Sequence, residues 1–246
     1  MSPVDTPLLT IVAAVLNEAE NIRPVCTEIA AALVGLSPYE VVFIDDGSTD
    51  ATVAELLAAR DVLPQLRVIS HDRRCGKSAA LRTGIEAAHG TWIATIDGDG
   101  QDDPREIVSM LALALAAGPV TPGPLVVGVR LKRNDNLSRR FATRFANGLR
   151  RRLLNDGCPD TGAPMKLFRR DDFLRLPQFE GVHRFLPALF QHYGSALICK
   201  PVHHRARLHG SSKYTNLNRA VVGVRDMMGV MWLQSRTQVP ERLIES

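Results

Sequence analysis

The chain predicts an α/β fold, a mostly parallel sheet with helices on both faces. Short apolar runs alternate with helix-length stretches through the first half of its 246 residues, the pattern of strand-helix-strand units. Acidic residues stand directly after three of these runs, and in such a sheet ligands bind beyond the carboxyl ends of the strands.

The apolar run 8–15 predicts the first strand, and the stretch 19–36 a helix. Val41, Val42, Phe43 and Ile44 predict the second strand; Gly47, Ser48 and Asp50 make a turn and a cap for the helix after it. A strand at 66–70, a helix at 77–89, a strand at 92–96 and a helix at 105–117 continue the alternation. Gly118, Pro122, Gly123 and Pro124 mark a loop. Beyond it the pattern loosens into a strand near 125–129, a basic helix, a strand near 165–168 and a C-terminal helical region.

This length suits one α/β domain with an appendage. The cysteines Cys26, Cys75, Cys158 and Cys199 are scattered, without zinc or disulfide spacing, so a reducing, cytoplasmic compartment is expected. The first residues lack a basic and an apolar region, which argues against export. No uninterrupted apolar stretch reaches a membrane span, because Arg219, Arg225 and Asp226 break the best candidate. Net charge is only +4, yet residues 130–152 hold nine Lys or Arg against the single acid Asp135. Such a cluster meets phosphate on a nucleotide, a nucleic acid or a membrane.

The most informative run is Thr91 to Ile96 feeding into Asp97, Gly98, Asp99, Gly100 and Gln101. Gly98 and Gly100 allow the turn that brings Asp97 and Asp99 onto one ion, and their hard oxygens suit Mg2+ or Mn2+. A cation so held serves a diphosphate. An EF-hand fails, with Asp102 and Val108 where its glycine and closing glutamate belong. Gly76-Lys77-Ser78 is no P-loop, since His71 replaces the first glycine, and no glycine-rich dinucleotide turn follows the first strand. The adjacent acids Asp45 and Asp46 at a strand end are costly unless a donor-rich ligand or cation is near. The histidines show no metal spacing, and Trp92 and Trp232 read as packing residues.

Val15 to Ile22, Ile44 to Asp50, Gly76-Lys77 and Asp97 to Pro104 together resemble the inverting, metal-dependent enzymes of glycosyltransferase family 2. Gly128-Val-Arg130, Ser138-Arg139, Asp160 to Phe168 and Arg207 to Tyr214 are similar to its polyprenyl-phosphate glycosyltransferases of the dolichol-phosphate mannosyltransferase kind. The resemblance implies a GT-A-like fold with a Rossmann-like sheet and amphipathic helices for membrane association. It implies a single domain comprising a nucleotide-binding half (1–117), an acceptor and phosphate-binding half (118–215) and a helical tail (216–246). Ala14, Leu16, Glu18, Asp46, Lys77 and Asp97 would hold the nucleotide. Asp97, Asp99 and Gln101 would surround Mg2+ or Mn2+, and Arg130, Arg139, Arg207 and Lys213 would meet phosphates. Of these, Asp99, Arg130, Arg139 and Lys213 would carry catalysis. The chain departs from the family where Ala14 and Leu16 replace a proline and an aromatic.

The implied reaction moves a sugar from a GDP- or UDP-linked donor to a polyprenyl phosphate, from a peripheral position at the cytoplasmic face of the plasma membrane. Metal and arginines would stabilise the departing diphosphate. The acceptor phosphate, already anionic near neutrality, needs little help from a base. Leu137, Phe141, Phe145, Leu149 and Leu153 form an apolar stripe beside Arg140, Arg144 and Arg151, which suits a membrane interface as well as a packed helix with a solvated face. Residues 221–233 read as a second interfacial, dimerising or core helix, which leaves a homo-oligomer open. Two other functions compete: transfer to a sugar hydroxyl, which calls for a base that no residue advertises, and a phosphate- or nucleic-acid-binding module, which leaves the acidic turns unexplained. No nucleic acid partner is expected.

Overall fold

The computed structural model describes residues 7–131, 153–154, 156–206 and 216–239, with the side chains of 216–221 left aside. Its centre is a seven-stranded sheet in the order β3-β2-β1-β4-β6-β5-β7. The strands are β1 (Leu9–Val15), β2 (Tyr39–Asp45), β3 (Leu66–Ser70), β4 (Trp92–Asp97), β5 (Leu125–Arg130), β6 (Lys166–Arg169) and β7 (Leu197–Val202). β3, β2, β1 and β4 are mutually parallel, and β5 pairs in parallel with β7. β6 alone runs against its neighbours β4 and β5.

The helices are α1 (Ala19–Ala32), α2 (Thr52–Ala58), α3 (Lys77–Ala87), α4 (Arg105–Ala116), α5 (Arg170–Leu174), α6 (Leu186–His192) and α7 (Asn216–Arg236). They cover both sheet faces because β1 is buried on both. Ile11 and Ala13 pack with Ile22, Val25 and Ile29 of α1 and Ile107 and Met110 of α4. Val12, one residue out of phase, packs with Leu81 and Ile85 of α3 and with Phe190 of α6. A side chain at Gly84 would lie 2.6 Å from Val12 Cγ1, so the glycine lets α3 approach the sheet.

The predicted elements of the first half are present, with ends shifted by a few residues. α1 stops at Ala32, four residues before the expected end, and the chain turns at Gly35 in left-handed geometry. β7 and the short helices α5 and α6 have no counterpart in the sequence-based expectation. One packing assignment needs correction: Trp92 is buried, but Trp232 on α7 is 61% exposed. Val222, Val224, Met228 and Met231 are exposed on the same helix. No helix among the described residues is long and apolar enough to cross a membrane.

Candidate active site

Because β2, β1 and β4 are adjacent and parallel, their carboxyl ends share one edge of the sheet. The acids after the three strands therefore lie along that edge, as the sequence predicts. Ala14 is in β1 and Leu16 follows its end, both half-buried.

The loop after β1 is latched to the loop after β2. Asn17 adopts φ 51°, a left-handed conformation that asparagine tolerates better than most residues. Its backbone N–H donates to Ser48 Oγ at 2.8 Å, and its side-chain oxygen accepts from Thr49 N–H at 2.8 Å. Glu18 N–H donates to Thr52 Oγ1 at 2.9 Å, while Glu18 Oε2 accepts from Asn21 Nδ2 at 2.6 Å. These bonds set Glu18 at the mouth of the edge, half-buried.

Asp46 is a cross-brace in this state. One oxygen accepts from Cys75 N–H at 2.8 Å and lies 2.9 Å from His71 Nδ1; the other accepts from Gly76 N–H at 2.8 Å. These contacts compensate the adjacent acids at the end of β2, with Asp45 taking Ser48 N–H at 3.2 Å. They also fix the loop that opens α3, whose first residue is Lys77. Asp46, His71 and Cys75 are the described residues whose potential metal-ligand atoms lie within 4.8 Å of one another.

Lys77 returns across the edge and forms an ion pair with Asp97, each side chain about 31% exposed. The turn after β4 is built for tight approach. A Cβ on Gly98 would stand 2.3 Å from Val15 Cγ1, and Gly100 takes φ 74°. Gly98 thus serves close packing against β1, whereas Gly100 supplies the left-handed turn. Asp99 is buried and its Oδ1 accepts from Gln101 N–H at 3.1 Å. Gln101 Nε2 donates to the Arg205 carbonyl at 3.1 Å, which leaves its amide oxygen as a prospective donor to a cation. Asp102 accepts from Asp97 N–H at 3.1 Å, and Asp103 accepts from Arg105 N–H at 3.1 Å as α4 begins. The second half of the acidic run is therefore scaffolding. Arg105 hydrogen bonds hold the Asp103 carboxyl down at about 2, Arg205 adding to the effect.

From the second half of the chain, Arg130 at the end of β5 reaches Asp160 in a two-pronged pair, Nε to Oδ2 at 2.7 Å and Nη2 to Oδ1 at 2.8 Å. Arg139, Arg207 and Lys213 lie outside the described residues. A residue that sequence reasoning missed also stands here. Lys166 opens β6 opposite Thr95 of β4, is 3% exposed, and donates to the Ala163 carbonyl. Its signal was a lone lysine in the run from Met165 to Phe168.

Acids from three parallel strand ends, cations facing them and oxygen donors on a glycine-rich turn form the ligand edge of a GT-A-like domain. The signature of glycosyl transferase family 2 matches residues 10–176, and the chain belongs to that family, as a glycosyltransferase. A dodecaprenyl-phosphate galacturonate synthase of Rhizobium johnstonii is 34% identical over 236 residues, covering 94% of this chain and 68% of the relative. An undecaprenyl-phosphate 4-deoxy-4-formamido-L-arabinose transferase of Yersinia enterocolitica is 32% identical over 212 residues, 84% of this chain and 62% of the relative. The chain thus spans about two thirds or less of the length of these relatives. Among solved structures, glucosyl-3-phosphoglycerate synthase of Mycobacterium tuberculosis with Mn2+, UDP-glucose and phosphoglyceric acid superposes with TM-score 0.67 at 20% identity, over 96% of this chain and 81% of that one. The same enzyme with Mg2+ and UDP gives 0.68 at 23% identity, over 96% and 81%. At these identities the likeness concerns the fold.

Proposed function

We propose that the protein transfers a sugar, with inversion, from a nucleotide diphosphate donor to a polyprenyl phosphate at the cytoplasmic membrane face. One observation carries the donor half: Asp97, the last residue of β4, and Asp99, on the turn after it, share the edge with Lys77, Glu18 and Asp46. The acceptor half is supported by the polyprenyl-phosphate relatives and by Arg130, with Arg139, Arg207 and Lys213 as further phosphate partners.

Asp97, Asp99 and the Gln101 amide oxygen offer the hard donor set of Mg2+ or Mn2+. The Lys77 ammonium already stands against Asp97 as a cation, which fits a carboxylate placed for positive charge. A divalent ion there would offset the charge growing on the departing diphosphate. Lys77 changes partner when the donor arrives, moving from Asp97 to a phosphate oxygen. Glu18 meets the nucleoside, and Asp46 holds the 71–76 loop against it. Arg130, oriented by Asp160, receives phosphate charge as the acceptor oxygen attacks opposite the leaving group. That attack produces inversion and needs no dedicated base, because a phosphate monoester is largely anionic near neutrality.

The test is transfer from a panel of UDP- and GDP-sugars to a short polyprenyl phosphate with Mg2+ or Mn2+. Asp99→Asn is expected to lower turnover at least a hundredfold while its circular dichroism and melting stay close to those of the parent. Undiminished transfer by that variant, or transfer to a sugar hydroxyl without polyprenyl phosphate, would overturn the reading.

A further inference from the structure

We propose that Lys166, together with Lys77, forms a buried seat for a phosphoryl group, making Lys166 a substrate-binding residue of this site. The inference rests on the donor and acceptor chemistry proposed above and adds a residue to it.

Lys166 lies in the middle of the sheet, paired with Thr95 of β4 on one side and Val127 of β5 on the other. Its side chain lies on the face where α3 and α6 pack and lines a narrow, partly open cleft. Lys77, Thr95, Gly162 and His183 share that lining. Among the described residues that line it there is no carboxylate, so its fixed charges are two ammonium groups.

An ammonium has three donors, and among the described residues one of those of Lys166 is used, by the Ala163 carbonyl. No carboxylate among the described residues pairs with it, and it is 3% exposed. A lysine is almost never so buried without a counter-ion, because desolvating the charge costs several kcal/mol. Burial pushes its pKa down to about 8, and the charge of Lys77 adds to the effect. The two ammonium groups repel each other across the cleft, a repulsion that Asp97 and Asp160 offset in part from outside its lining. Lys77 also links the cleft to Asp97 through its ion pair, so the seat adjoins the place proposed for the diphosphate.

A phosphoryl group has the right chemistry: it carries negative charge and several acceptor oxygens, enough to satisfy the idle donors of Lys166 and to draw Lys77 from Asp97. Two sources supply it, the β-phosphate of the nucleotide donor and the monoester of the polyprenyl acceptor. A purely structural Lys166, clamping the 160–165 loop through Ala163, would leave anion affinity unchanged once the fold is intact.

The experiment is calorimetric titration of inorganic pyrophosphate into the wild type, Lys166→Met and Lys166→Arg, which reads the seat without a nucleotide or a lipid. Pyrophosphate affinity is expected to fall about tenfold to a hundredfold in Lys166→Met and to recover in Lys166→Arg, at unchanged melting order of the secondary structure. Two further arms identify the source. A loss confined to UDP or GDP, with UMP or GMP unaffected, assigns the donor; a raised KM for a short polyprenyl phosphate, with nucleotide affinity intact, assigns the acceptor. Equal pyrophosphate, nucleotide and lipid parameters in wild type and Lys166→Met overturn the inference while leaving the transferase reading in place. Charge-dependent pyrophosphate binding in a protein that transfers no sugar would instead keep the seat and sink that reading.

Discussion

Lys166 makes a stability prediction that needs no substrate. Burial lowers its pKa from 10.5 to about 8, so the folded protein disfavours the charged amine by about 3 kcal/mol relative to the unfolded chain. Methionine has similar length, carries no charge and suits an apolar surrounding. Lys166→Met removes that cost and loses the hydrogen bond to Ala163, a loss of about 1 kcal/mol from a carbonyl that borders an open cleft. The variant should therefore be more stable than the wild type by about 1–2 kcal/mol at pH 7. The sign of the pH dependence follows from the depressed pKa. Below pH 8 both folded and unfolded states hold the proton and the full cost is present. Between pH 8 and 10.5 the unfolded chain binds more protons, so wild-type stability rises relative to the variant; above 10.5 the cost is gone. Urea unfolding of both proteins across pH 7–10.5, with equal m-values, isolates this one group as a difference of midpoints. A variant less stable than wild type at pH 7, or a gap that does not change with pH, would refute the reasoning.

Three other perturbations follow from the same geometry. Gly47→Ala introduces a Cβ 2.6 Å from the Arg73 backbone at a position with φ +75°; it should cost about 1–3 kcal/mol in thermal unfolding and weaken nucleotide binding, because the 71–76 loop must move. Asp103, held at about 2 by Arg105, contributes stability that is present above its unfolded pKa near 4 and disappears as the pH falls through 2. The difference between wild type and Asp103→Asn in denaturant midpoint should therefore shrink from pH 5 to pH 2. Trp232 is exposed while Trp92 is buried, so vesicles rich in phosphatidylglycerol should shift the emission of the wild type to the blue and leave Trp232→Phe unchanged, if α7 meets the membrane surface. An emission unaffected by vesicles counts against that role.

The first half of the fold was legible because its strands are buried on both faces and read as continuous apolar runs. β7 was not. Leu197 to Val202 holds Lys200 and Pro201, and a proline argues against a central strand; β7 is tolerated because it is the outermost strand of its side of the sheet. The acidic turn was legible as a set of oxygen donors, but the division of labour within it was not. Nothing in the order Asp97, Asp99, Asp102, Asp103 says that the last two hold the strand end and the helix start; that depends on hydrogen bonds made after folding. Asp46 is similar: its position after β2 marks it as special, yet its two backbone partners come from residues 75 and 76, which only the fold brings near. Lys166 escaped notice because one polar residue in a short strand is ordinary, and its burial without an ion-pair partner among the described residues is a property of three dimensions.

The reversed strand explains why the second half of the chain contributes to the edge at all. In a parallel sheet only the residues after a strand reach the ligand edge. β6 runs the other way, so its first residue, Lys166, and the loop before it arrive beside the carboxyl end of β4. That loop carries Asp160, which orients Arg130 at the end of the adjacent β5. One antiparallel pairing thus brings the residues from Asp160 to Lys166 to the same side as Asp97. A parallel β6 would have carried Lys166 to the opposite end of the sheet, and the cleft would have kept Lys77 as its sole lysine.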